Sequence, residues 1–216
     1  MMRALRVIAP VLALVVAAVA PPAAAAGGDG EAADSSRAVS YSASLIGYLF
    51  DGGDDYLVPI LYADAGRLHL EARYQYEGLR TASLWGGATW SGGSDLTWQV
   101  TPMAGIVFGD ADGAAPGLEG ELAYGAFEWY AEAEYVFDFG DREDNFFYMW
   151  SEWSFYPRES WRVGLVGQRT RAYESDLEVD RGPFAGAFVH RFSFTIYAFN
   201  LDRDAPFVAV QAGAEF

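Results

Sequence analysis

Apolar and ionised residues alternate along this chain with a period of two, most cleanly from Leu68 to Glu77 (LHLEARYQYE). Leu68, Leu70, Ala72, Tyr74 and Tyr76 share one side, while His69, Glu71, Arg73, Gln75 and Glu77 share the other. The stretch Phe127 to Phe139 (FEWYAEAEYVFDF) repeats the scheme, with Phe127, Trp129, Ala131, Ala133, Tyr135, Phe137 and Phe139 against Glu128, Glu132, Glu134 and Asp138. Successive side chains on a strand project to opposite faces, so these are strands with one apolar and one charged face. Small or apolar residues lie mid-strand and aromatics at both ends, as a lipid-facing stripe between two interfacial girdles requires. A soluble barrel carries the same alternation with the apolar face buried. The aromatic ends, taken with the two ends of the chain, favour the membrane.

Arg3 and Arg6 precede the apolar run Val7 to Ala20 (VIAPVLALVVAAVA), and small residues follow at Ala23 to Gly28. That layout reads as a secretory signal, residues 1–26, cleaved after Ala24 or Ala26. The run is too short and wrongly flanked to stay as a spanning helix. Residues 27–38 (GGDGEAADSSRA) are small and polar and read as a flexible periplasmic lead-in. The mature chain of about 190 residues suffices for one barrel, assigned to 39–216, and is too short for two ordinary domains. It contains no apolar run of eighteen residues, so it has no membrane helix, and any span must be a closed barrel. Cys is absent, which rules out disulfides, thiolate metal sites and a lipoprotein anchor. Every Lys/Arg position is Arg, and the formal charge of −16 falls to about −18 once Arg3 and Arg6 are removed, which argues against a nucleic-acid partner.

The alternation predicts an all-β fold, a transmembrane antiparallel up-and-down barrel of about twelve strands: 39–50, 56–63, 67–77, 81–90, 96–108, 118–125, 127–138, 146–156, 161–171, 183–189, 192–201 and 206–216. With the amino terminus on the periplasmic side, the outer loops hold DGGDD (51–55), GDADGAAPG (109–117), GDREDN (140–145), YESDLEVDRG (173–182) and DRDA (202–205). The inner turns are shorter, at DAG (64–66), SGGS (91–94) and PRES (157–160). Turns near Gly125 and near His190 rest on a change of phase and on length; without both, the count is ten.

The last ten residues (FVAVQAGAEF) put Val208, Val210, Ala212, Ala214 and Phe216 on one face and Gln211, Gly213 and Glu215 on the other. This strand resembles the terminal strand of bacterial outer-membrane β-barrels, with Ala214 where an aromatic is usual. The resemblance implies an outer-membrane location, Phe216 as the assembly signal, and the barrel-assembly machinery, outer-membrane lipids and lipopolysaccharide as partners.

The inward set is polar. Glu119, Glu121, Glu128, Glu132, Glu134, Asp138 and Glu152 form an acidic wall on three consecutive strands, while Arg73 and Arg162 lie elsewhere around the lumen with His69 and Glu71. Such groups either pair into a plug or line a water path whose field sorts solutes. Twelve strands stand between the filled interior of eight and the open channel of sixteen, so both readings stay open. Arg169 and Arg171 share the parity of Val163 and Leu165, which points them at lipid near the outer end, where an Arg costs only about 0–1 kcal/mol; a bulge would instead turn them into the lumen beside Arg162, and both readings stay open.

Catalysis has little support. The two His, His69 and His190, lack the spacing to Ser seen in the lipid hydrolases among outer-membrane barrels. Asp110 and Asp112 before Gly113 begin like a calcium loop, but its remaining ligands are missing, so turn formation explains them. No metal or cofactor is expected, although the acidic loops could recruit divalent cations. The expected function is a small passive channel for polar or cationic solutes. Channels for acidic oligosaccharides, whose lumens are basic, form a contrast. The alternatives are a non-conducting surface barrel for adhesion or envelope integrity and, behind it, an embedded hydrolase.

Overall fold

Thirteen strand segments follow one another: β1 (Val39–Phe50), β2 (Tyr56–Ala65), β3 (Leu68–Tyr74), β4 (Thr81–Ala88), β5 (Trp90–Gly93), β6 (Leu96–Gly109), β7 (Gly113–Tyr124), β8 (Phe127–Asp138), β9 (Phe146–Arg158), β10 (Trp161–Ala172), β11 (Glu178–Val189), β12 (Phe192–Phe199) and β13 (Phe207–Glu215). The structure is a computed structural model that describes residues 38–140, 142–172, 178–203 and 205–216. The signal peptide, residues 27–37 of the lead-in and 173–177 of one outer loop lie outside the described residues.

All neighbours pair antiparallel, β1 pairs with β13, and β4 pairs with β6 to close the ring. β4 and β5 are halves of one strand: Gly87 faces Met103 and Trp90 faces Val100 in the same register on β6. The ladder lapses between them opposite Pro102, which has no N–H to donate. The barrel therefore has twelve strands closed into a ring, which pairs the edge strands that a bilayer would leave exposed. The turn between β7 and β8 forms at Gly125 (φ +60°) and that between β11 and β12 at His190 (φ +57°), which removes the ten-strand alternative.

Two outer loops are shorter than expected. β7 starts at Gly113 and β11 at Glu178, because β6 and β10 extend far enough to pair with them. Gly, Ala and Pro between 113 and 117 look like loop residues but continue the strand, with pairing to β8 lapsing between Ala114 and Gly117, beside Pro116. A third difference lies after β3, where Gln75 adopts φ +59° and ends the strand at Tyr74. The phase breaks there, and Tyr76 and Glu77 both turn into the lumen while Leu79 and Arg80 stay exposed.

Outside, Leu61, Ile106 and Leu165 are 59%, 60% and 63% exposed, in a belt edged by Tyr41, Tyr124, Phe127 and Trp153 at the inner end and by Phe108, Phe137 and Phe139 at the outer. This is the apolar band and double girdle of a transmembrane barrel. Inside, one cluster gathers Ile46, Tyr48, Val58, Ile60, Tyr148, Trp150, Tyr197, Phe199 and Ala209. A smaller one holds Trp85, Met103, Val107, Ala115 and Val136. Trp85 lies against Gly105 and Gly117, where a Cβ would stand 2.4 and 2.8 Å from its ring atoms, so only glycine admits the indole.

Candidate functional site

Arg73, 4% exposed, stands at the centre of the lumen's charged network. Its Nε donates to Glu71 Oε2 at 2.6 Å, and its Nη1 lies 2.8 Å from Glu132 Oε1 and 3.1 Å from Glu134 Oε2. Glu77 Oε1 is 3.8 Å away, and the guanidinium stacks over Tyr76 and Trp85 at 4.5 and 4.9 Å. Planar, delocalised and weakly hydrated, a guanidinium can serve several carboxylates and two rings together. Tyr76 donates its hydroxyl to Glu132 at 3.0 Å. Alternation through position 76 placed this tyrosine toward lipid; the left-handed backbone at Gln75 turns it inward instead.

On the inner side of this network, His69 Nδ1–H donates to Asp64 Oδ1 at 2.7 Å and Nε2–H to Glu71 Oε1 at 2.8 Å. Glu119 Oε2 lies 3.8 Å from the same Nε2, and Tyr130 donates to Glu119 Oε1 at 3.0 Å.

A second network surrounds Glu152. Arg162 Nη1 donates to its Oε2 at 2.6 Å, while Trp150 Nε1 and the Tyr197 hydroxyl donate to Oε1 at 3.0 and 2.7 Å. Arg162 also reaches Ser154 and Thr195 and stacks on Phe184 at 4.9 Å. Glu128 accepts from Tyr156 at 3.0 Å. Between the networks is a cavity of about 280 Å³ lined by Ile46, Tyr62, Arg73, Glu121, Glu128, Glu132, Glu152 and Arg162, among others.

His69, Glu71, Arg73, Glu132, Glu134 and Glu152 are thus buried inside the barrel, with Glu128 and Arg162 half-buried beside them. The Asp138 carboxylate accepts from Gly140 N at 2.7 Å at the start of the outer loop. Arg169 is exposed on the outward parity of β10, and the side chain of Arg171 lies outside the described ones. Phe216 is half-exposed at the inner end, its N–H donating to Tyr41 O at 2.8 Å and its ring under the Arg191 guanidinium. Asp112 accepts from Gly109 N within its own turn, whereas Asp110 pairs with Arg80 across the rim. Sequence reasoning passed over the tyrosines that satisfy the carboxylates. Tyr130 was within reach, since it shares the parity of Glu128 and Glu132.

No family model matches the sequence, and no curated protein matches it. Among solved structures the fold is similar to the KdgM porin and to the KdgM porin in complex with disordered oligogalacturonate, each with a TM-score of 0.57. The identities are 9% and 10%, over 81% of this chain and 99% of each of those. The likeness is one of fold, that of bacterial outer-membrane β-barrels.

Proposed function

We propose that this barrel lies in the bacterial outer membrane and is a narrow, passive, cation-preferring channel for small polar solutes. The observation that carries this reading is the charge around the internal cavity: Glu121, Glu128, Glu132 and Glu152 against Arg73 and Arg162. Glu132 and Glu152 are each matched by a guanidinium. Arg73 is shared among Glu71, Glu132 and Glu134, and among the described residues neither Glu121 nor Glu128 has an Arg in ion-pair contact, so carboxylates outnumber guanidinium groups along the passage and these two add to the net field. A field in a low-dielectric passage is focused rather than screened away. At about 30 Å³ per water the cavity has room for about nine, which limits the solute to small species. A polyanion such as the oligogalacturonate bound by the KdgM porin meets the wrong sign of charge here. The reading needs no catalysis: both ring nitrogens of His69 are engaged by carboxylates.

Planar-bilayer recording tests it. We expect small steady currents whose reversal potential across a salt gradient favours cations, and a weaker preference in the Glu121→Gln/Glu128→Gln double variant. Anion preference refutes the mechanism. Silence favours the non-conducting surface barrel, a reading supported by the ion pairs across the lumen and the aromatic packing of its outer half. Phe216 is proposed as the mark read by the assembly machinery; its deletion should leave export intact, reduce insertion and raise periplasmic degradation. Undiminished heat-modifiable barrel in the outer membrane would overturn that role. Lipopolysaccharide and divalent cations are the proposed partners of the lipid-facing belt and the acidic loops.

A further inference from the structure

We infer that His69, Glu71 and Glu119 form a binding site for one divalent transition-metal ion of the zinc class, with Asp64 orienting the histidine. Among the described residues this is the one group of three whose ligand atoms all lie within 4.8 Å of one another. His69 and Glu71 stand two apart on β3 and so share its inner face, while Glu119 comes from β7, which β4 and β6 separate from β3 in the sheet. Closure of the barrel brings the third donor across the lumen. No sequence spacing announces it.

The geometry suits such an ion. Bonds of about 2.0–2.2 Å at tetrahedral angles place neighbouring donors about 3.3–3.5 Å apart. His69 Nε2 stands 2.8 Å from Glu71 Oε1 and 3.8 Å from Glu119 Oε2, so these two separations need to change by roughly 0.3–0.7 Å, and the two carboxylates, within 4.8 Å of one another, need to close by at most about 1.5 Å. Asp64 accepts from Nδ1–H at 2.7 Å, which fixes the tautomer and directs Nε2 inward, the carboxylate–histidine arrangement that supports a metal. Three carboxylates face one imidazole, and Glu119 also lies directly opposite Glu132 in the β7–β8 ladder, a like-charge pair that a cation relieves. Imidazole with carboxylates selects a zinc-class ion over Ca²⁺ and Mg²⁺, which prefer oxygen alone. Three protein ligands leave a fourth position for water.

A route exists. Asp64, its side chain 45% exposed, lines a pocket of about 390 Å³ at the inner mouth with Ser40, Ser42 and Glu215. On binding, the ion replaces the proton that Nε2 otherwise donates to Glu71, and that proton is released to solvent. Conduction plays no part in the inference, so a silent barrel can still bind the metal.

The test uses the full mature barrel refolded in detergent, with Zn²⁺ followed by calorimetry in buffers of different ionisation enthalpy and Co²⁺ by visible absorption. One equivalent should bind with proton release, and Co²⁺ should show the strong d–d bands of a low-coordinate site that excess Ca²⁺ leaves unchanged. His69→Ala and Glu119→Gln should each abolish the bands. Asp64→Asn should weaken Zn²⁺ by about 10–100-fold and keep them. Absence of the bands in the unmodified barrel, their persistence in either ligand variant, or displacement by Ca²⁺ overturns the site. Heat-modifiable migration checks folding, and if His69→Ala does not fold, Glu119→Gln on the other strand decides.

Discussion

The lumen has two sides of different chemistry. Strands β12, β13, β1 and β2 turn Tyr197, Phe199, Ala209, Ile46, Tyr48, Val58 and Ile60 inward, and all are buried. Their rings stack, with centroids 4.8 Å apart for Tyr48 and Tyr56 and 4.6 Å for Phe199 and Phe207. Strands β3, β7, β8 and β9 turn carboxylates inward around Arg73, with Arg162 on β10 beside them. The first side packs as a soluble core does and gains chiefly from burial, with the Tyr197 hydroxyl reaching out of it to Glu152. The second must find a partner for each polar atom, and among the described residues one buried oxygen each of Glu77 and Glu134 has no hydrogen-bond partner. Stability gathered on one side of a closed ring lets the other carry charge it would not choose for stability, as functional sites commonly do.

The largest effects should separate the two sides by mechanism rather than by size. Phe199→Ala removes a fully buried ring and should cost about 3–5 kcal/mol in urea unfolding from lipid vesicles, with the reversal potential unchanged. Arg73→Ala strands the carboxylates of Glu71, Glu132 and Glu134 and should cost a similar amount, about 3–5 kcal/mol. The distinction lies in the double variants. Adding Glu132→Gln should recover part of the Arg73→Ala loss and none of the Phe199→Ala loss, because only the first pair shares a network. Equal rescue of both would break the division.

On the outside the two sides should behave alike. Ala133 on β8 and Leu61 on β2 both face outward near mid-strand. Arg at either position should cost about 2–4 kcal/mol. If Arg at Ala133 is tolerated as well as Arg at the neighbouring Glu132, the lipid-facing assignment fails.

The same contrast explains what could be read in advance. On β3 and β8 the faces differ in charge, so alternation announced both strand and facing, and the inward carboxylates could be named. On β1 and β2 the sequences SASLIGYLF and YLVPILYADA are apolar on both faces, so the strands were legible and the aromatic packing inside was not. Tyr76 was misplaced because one left-handed residue, Gln75, ends the alternation, after which Tyr76 and Glu77 both turn inward, and backbone sign is invisible to side-chain parity. The meeting of Glu119 with His69 depends on the curvature of the ring, a property of no single segment.

The smallest effects belong to the rim, where the asymmetry should vanish. Arg80 pairs with Asp110 above the acidic side, and Arg181 Nη2 donates to Asp202 at 3.0 Å above the apolar side. All four side chains are exposed, so neither clasp should move the unfolding midpoint measurably. The Arg181 guanidinium, by its hydrogen bond, holds the Asp202 carboxyl below the usual carboxylate range. A carboxyl whose pKa is lower folded than unfolded contributes fully above the unfolded value, near pH 4, and loses that contribution as pH falls through the folded one. The clasp should therefore hold at neutral pH and open only in acid, seen as faster amide exchange at Leu201 and Arg203 once the intrinsic pH dependence is removed. Asp202→Asn should show the open behaviour at neutral pH and keep the reversal potential of the unmodified barrel. A shift in ion preference from that exposed change would mean that the charge asymmetry extends to the rim.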